Sequence, residues 1–169
     1  SVDPGLNGTG WAVWDRAKAD KLVNPVMSGA VPKTNNEMPL ASRAAWICTA
    51  LDMVCHQHTV MEVCIEQAQF MEAGKGLAAA RDGDLVTLCL LTGMIVGNMW
   101  RMKEGKGRAS YGWSTHLIPV NQWKGNLSKD KCAYRIGKLL PNWTNKSDTT
   151  HEADAVGIGL YAKGFFDGH

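Results

Sequence analysis

Ser1-Val2-Asp3-Pro4-Gly5-Leu6-Asn7-Gly8-Thr9-Gly10-Trp11-Ala12-Val13-Trp14 opens the chain as a strand ending in an aspartate, a glycine-rich turn and a second strand. Pro4 lacks the amide proton a ladder needs, and Gly5 tolerates a positive φ, so the first strand stops at Asp3 and leaves its carboxylate at a strand end. A metal or phosphate ligand is useful at that place. An exposed turn aspartate in a plain hairpin is the competing reading, and the rest of the chain must decide.

Length and composition narrow the classes. A chain of 169 residues with 45% hydrophobic and 20% charged side chains fits one globular domain and leaves no room for a second full one. The most apolar stretch, residues 85–96, is too short for a membrane span and contains Thr87, Thr92 and Gly93. No leader sequence is visible. Five cysteines, Cys48, Cys55, Cys64, Cys89 and Cys132, lie mostly in apolar surroundings and read as reduced core residues of a cytosolic-type compartment. His56 and His58 beside Cys55 read as a polar helix end rather than a zinc site.

Charge is unevenly spread. Residues 1–100 carry seven basic and ten acidic side chains, residues 101–146 ten and two, and residues 147–169 one and four. A block of +8 between flanks of −3 each suits a polyanion gripped beside a carboxylate-lined site. A solvated lysine-rich loop is the blander explanation.

Along the chain, residues 10–14 and 22–31 extend the opening strand into an antiparallel meander, with a turn at 15–21. Leu40, Ala44, Ala45, Ile47, Cys48, Leu51 and Val54 recur at helical spacing after Pro39. Residues 59–65 form a β-branched, apolar strand, expected to be buried on both faces, that runs into Glu66. A loop with Gly74-Lys75-Gly76 then opens a long apolar helix over 77–99, and residues 101–111 are basic and glycine-containing. A short strand is expected over 116–120 and a turn over 121–125. Ser128 caps a helix running through Leu140, and a last helix begins at His151 with Thr149 or Thr150 as cap. This order predicts an α/β fold: a mixed five-stranded sheet, antiparallel meander plus parallel strands, flanked by helices.

Asp3, Glu66 and Asp154 thus stand at the ends of apolar elements, and His151 shares a helical face with Asp154 three residues on. Clustered carboxylates repel and persist only beside cations, and an oxygen-rich site selects Mg²⁺ or Mn²⁺. Asp3-Pro4-Gly5 with Thr9-Gly10, Ile65-Glu66-Gln67, Trp123-Lys124 with a downstream lysine, and His151-x-x-Asp154-Ala155 together resemble the RuvC-type Holliday junction resolvases of the RNase H-like superfamily. The resemblance covers nearly the whole chain, in order, and its short Trp123-Lys124 region looks more like the bacteriophage-encoded branch.

The resemblance implies one RNase H-like domain over residues 1–169. It implies a homodimer that resolves four-way or branched DNA by paired, symmetric hydrolysis, giving 5′-phosphate and 3′-hydroxyl nicks, with no membrane partner. Two Mg²⁺ per site, replaceable by Mn²⁺, would be held by Asp3, Glu66, His151 and Asp154. His151, where many members have aspartate, either ligates or serves as acid or base. Glu152 is the rival in another register, pointing about 100° away. Phe70 would stack on bases, with Gln69 able to share that role. Lys124 and Lys131 match phosphate-contacting or catalytic lysines, Lys129 being an alternative to Lys131. Lys75, Arg101, Lys103, Lys106 and Arg108 would contact the DNA backbone.

The apolar helix over 77–99 is expected to supply the dimer interface, and the tryptophans other than Trp123 read as packing or interface residues. A flap or RNA–DNA hybrid nuclease on the same fold, a non-catalytic junction-binding protein, and a nucleotide-binding protein using the opening turn as a phosphate loop are the alternatives.

Overall fold

The computed structural model describes residues 1–33, 37–69, 84–104, 114–147 and 150–168, with side chains 101–104 left aside. Its centre is a five-stranded sheet built from β1 (Val2–Asp3), β2 (Thr9–Val13), β3 (Met27–Val31), β4 (Glu62–Gln67) and β5 (Ser114–Pro119), in the order β3-β2-β1-β4-β5. The pairs β1–β2 and β2–β3 are antiparallel, while β1–β4 and β4–β5 are parallel. This is the mixed sheet expected from the sequence. Among the described residues five α-helices accompany it: α1 (Leu40–Gln57), α2 (Asp84–Glu104), the single turn α3 (Val120–Trp123), α4 (Lys129–Leu139) and α5 (His151–Ala162).

Two cores form on the two faces of the sheet. Val2, Val31, Val63 and Ile65 pack with Ile47 and Leu51 of α1 and with Leu91, Ile95 and Met99 of α2. On the other face Ala12, Ile118 and the partly buried Cys64 meet Trp123, Ile136, Val156, Ile158, Leu160 and Phe166. Side chains alternate along a strand, so these assignments dictate where the acids go. Val2 faces α1, hence Asp3 faces α5; Ile65 faces α1, hence Glu66 faces α5. Since β1, β4 and β5 are parallel, their C-terminal ends lie at one edge of the sheet, where open α/β sheets bind ligands.

Several boundaries differ from the sequence expectations. The central strand is Glu62–Gln67 and alternates buried with half-buried positions, so it is not buried on both faces, and Glu66 lies within it. Thr59 instead takes a positive φ of 49° in the connection from α1, a conformation that stops a strand. The third strand begins at Met27, because residues 16–18 form a 3-10 turn capped by Asp15, 19–20 continue as a turn, and 21–26 join no ladder. Residues 121–123 belong to the helical turn α3 rather than to a plain turn, with Lys124 N–H donating to Val120 O at 3.0 Å.

The long helix spans Asp84–Glu104 and so continues past Met99, while the expected stretch 77–83 lies outside the described residues, as does most of the basic segment 101–111. Ser128 does cap α4, accepting from Lys131 N–H. Cys48, Cys55 and Cys132 are buried, Cys64 is half-buried and Cys89 is exposed, and none of the five forms a disulfide. No described helix is long and apolar enough to cross a membrane.

Candidate active site

The opening turn is shaped by what lies above it. Thr9 Oγ1 donates to Gly5 O at 2.9 Å and accepts from Gly5 N–H at 3.2 Å, closing the turn on itself. A Cβ on Gly10 would stand 1.8 Å from His151 O, and one on Gly5 would stand 2.8 Å from His151 Cε1. Only glycine at both positions lets the first turn of α5 descend onto β2. That descent brings His151 Nδ1 to 2.6 Å from Asp3 Oδ2, within hydrogen-bond distance.

Two further carboxylates reach the same edge, each held by a neighbour from the β5–α3 corner. Trp123 Nε1 donates to Glu66 Oε2 at 2.9 Å, and Lys124 Nζ donates to Asp154 Oδ1 at 2.7 Å. Asp3, Lys124 and Asp154 are buried, and Glu66 is half-buried. Burial raises the Asp3 carboxyl above its usual range despite the opposing pull of the His151 contact. Glu66 is pushed up to about 8 by burial and by the charges of Asp3 and Asp154, against the Trp123 hydrogen bond and Lys124. Burial by itself lowers the Lys124 ammonium, but Asp154 and other nearby acids outweigh it and leave it raised overall.

The donor set fits hard divalent cations: three carboxylates at one sheet edge with an imidazole beside them. Burial is the main cause of the raised Glu66, and repulsion from Asp3 and Asp154 adds to it; an added cation relieves that repulsion. As the side chains stand, each acid is satisfied by a proton donor of the chain. Among the described residues no three His, Cys, Asp or Glu side chains are drawn together closely enough to hold a metal ion.

Glu152, the rival to His151, is fully buried and turned away. It accepts from Ser28 Oγ at 2.7 Å, Lys146 N–H at 3.0 Å and Ser147 N–H at 2.8 Å, while Trp143 Nε1 donates to Ser28 Oγ at 3.0 Å. Thr150 makes no side-chain cap, so Glu152 ties down the start of α5 from within. An acid inside an otherwise small and apolar helix is the signal that foretells such pairing. Lys129 is exposed and donates to Thr150 Oγ1 at 3.3 Å beside the helix start, whereas Lys131 is exposed on α4 away from these contacts. Gln69 follows β4 and accepts from Asn121 N–H at 3.4 Å. Phe70, Lys75, Lys106 and Arg108, and the side chains of Arg101 and Lys103, lie outside the described residues.

The family model for "Crossover junction endodeoxyribonuclease RuvC" matches residues 1–95, more than half of the chain. The chain belongs to the RuvC family. Among curated RuvC proteins, that of Endomicrobium trichonymphae is 38% identical over 78 residues, 46% of this chain and 40% of that protein. The RuvC of Bradyrhizobium diazoefficiens is 27% identical over 165 residues, spanning 94% of this chain and 82% of its own length. The fold also matches Thermus thermophilus RuvC solved in complex with Holliday junction substrate, with a TM-score of 0.63 at 20% identity, covering 98% of this chain and 95% of that one. The RuvC model embraces Asp3 and Glu66, while Lys124, His151 and Asp154 lie beyond its match.

Proposed function

We propose that residues 1–169 form one nuclease domain that, as a homodimer with Mg²⁺, resolves four-way junctions by paired nicks leaving 5′-phosphate and 3′-hydroxyl ends. The observation that carries this reading is the meeting of Asp3, Glu66, His151, Asp154 and Lys124 at one sheet edge in a chain of the RuvC family. Asp3, Glu66, Asp154 and His151 would hold the ions, two per site, with Mn²⁺ able to substitute. When bound, divalent ions supply charge stabilisation at the scissile phosphodiester.

The chain's own groups divide the remaining tasks. Lys124, kept cationic beside Asp154, offers positive charge to a phosphate at the sheet edge. His151, fixed at Nδ1 by Asp3, keeps Nε2 for a proton exchanged with water or the departing 3′ oxygen. Exposed Lys129, Lys131, Arg135 and Lys138 on α4 supply backbone contacts that position DNA without reading its sequence. The substrate named for the Thermus thermophilus structure supports a junction over a flap or hybrid as the preferred DNA.

A four-way junction is two-fold symmetric, so paired nicks call for two sites. On α2, Val86, Leu90, Met94 and Trp100 are exposed along the face opposite Leu91, Ile95 and Met99, and Cβ positions at Gly93 and Gly97 open onto empty space. This apolar stripe supports a second copy packing there. The deciding experiment assays a synthetic four-way junction beside flap, splayed and hybrid substrates, with Mg²⁺ present. Asp3→Asn and Glu66→Gln are each expected to abolish nicking while junction binding survives; full nicking by either variant overturns the assignment.

A further inference from the structure

We propose that Trp123 is a positioning residue for Glu66, fixing that carboxylate through a neutral hydrogen bond so that its negative charge stays available to a divalent cation. The inference rests on the nuclease reading above and adds a role for a fully buried side chain outside the ligand set named there.

The indole is fully buried and locked on several sides. Gly157 of α5 lies so close that a Cβ there would come within 2.7 Å of Trp123 Cζ3 and 3.1 Å of Ile136 Cδ1. The Phe166 ring sits 6.0 Å away, centroid to centroid, at 48°. Lys124 Nζ lies 5.1 Å from the indole centroid. A ring held this way has one polar atom, and an indole N–H can only donate. It donates to Glu66 Oε2 at 2.9 Å, so among the described residues the orientation of Glu66 is set by a group with no rotational freedom of its own.

The contrast with the next residue defines the role. Lys124 grips Asp154 with a full positive charge, which cancels much of the acid's negative charge. Trp123 grips Glu66 at Oε2 through a neutral donor that brings no opposing charge to the carboxylate. A neutral donor that orients a ligand while preserving its charge is what a cation-binding carboxylate needs from its surroundings, and loss of such partners typically weakens metal binding by about 10–100-fold.

The test compares wild type with Trp123→Phe, which keeps an aromatic ring and removes the N–H. Mn²⁺ binding to the DNA-free protein, followed by electron paramagnetic resonance, is expected to weaken about tenfold. Junction affinity in chelator should be unchanged, and nicking should fall in kcat and recover in part at high Mg²⁺. Should Trp123→Phe fail to fold, benzothienylalanine placed at position 123 keeps the bicyclic shape without the N–H and carries the same expectation. Wild-type Mn²⁺ affinity and wild-type nicking in a folded variant would overturn the proposal. A control with Glu66→Gln separates the two failures: if that variant still nicks junctions, the nuclease reading falls; if it is inactive while Trp123→Phe matches wild type, only the role of Trp123 falls.

Discussion

The two faces of the sheet are built on opposite economies of charge. Among the described residues every buried charged side chain, Asp3, Glu152, Asp154 and Lys124, belongs to the α5 face, whereas the α1/α2 face buries aliphatic and sulfur-bearing side chains with Thr9 and Thr92 as its polar exceptions. The α1/α2 face is the less demanding one, in which about 1.5–3 kcal/mol per buried aliphatic side chain suffices to hold the helices down. The α5 face holds its charges only because each has a partner, and an unpaired buried charge costs several kcal/mol. Both faces carry an apolar core, but the buried charge lies on one side alone, with the two-residue alternation of β1 and β4 sorting the acids to it.

That contrast can be broken most severely at Gly10. Gly10→Ala sets a methyl against the backbone of His151 and is expected to cost about 4 kcal/mol or more, read by urea denaturation, because neither strand nor helix can yield without dragging the site apart. Lys124→Met comes next, at about 3 kcal/mol in the same measurement, since it leaves Asp154 buried without its cation. A smaller and pH-dependent effect belongs to Glu66. Its folded-state value of about 8 lies above the ordinary 4.5, so its contribution is complete below about 4.5 and is lost as the pH rises through 8. Melting temperature in chelator should fall over that window, Glu66→Gln should flatten the fall, and Mg²⁺ at pH 8 should restore the wild-type value. The other face gives the smallest effect on folding: Leu90→Ser with Met94→Ser should change subunit stability by about 0.5 kcal/mol or less, yet shift sedimentation from dimer to monomer.

Much of this arrangement was legible in the residues, and the failures have causes. The strand ends at Asp3 because Pro4-Gly5 says so locally, and α1 follows from its apolar spacing. The strand expected over 59–65 lies at Glu62–Gln67 because Val60, Met61 and Val63 look alike in hydropathy, while the backbone of Thr59 turns aside in a conformation that no side-chain pattern announces. The approach of His151 to Gly5 and Gly10 joins residues more than 140 positions apart, so composition could place both at the sheet edge but could not reveal that the glycines exist for the helix. Trp123 stood out as part of a motif, but its bond to Glu66 depends on the turn α3, which the sequence suggested was a simple bend.

The corner after β5 has a consequence for how such chains can change over time. Because adjacent residues Trp123 and Lys124 hold one acid from a strand and one from a helix, this single helical turn acts as a ruler between Glu66 and Asp154. Removing one residue from Val120–Trp123 would rotate both donors by about 100° and strand both acids at once. Length variation in this lineage is therefore expected to accumulate in other connections, leaving the interval between Pro119 and Lys124 constant.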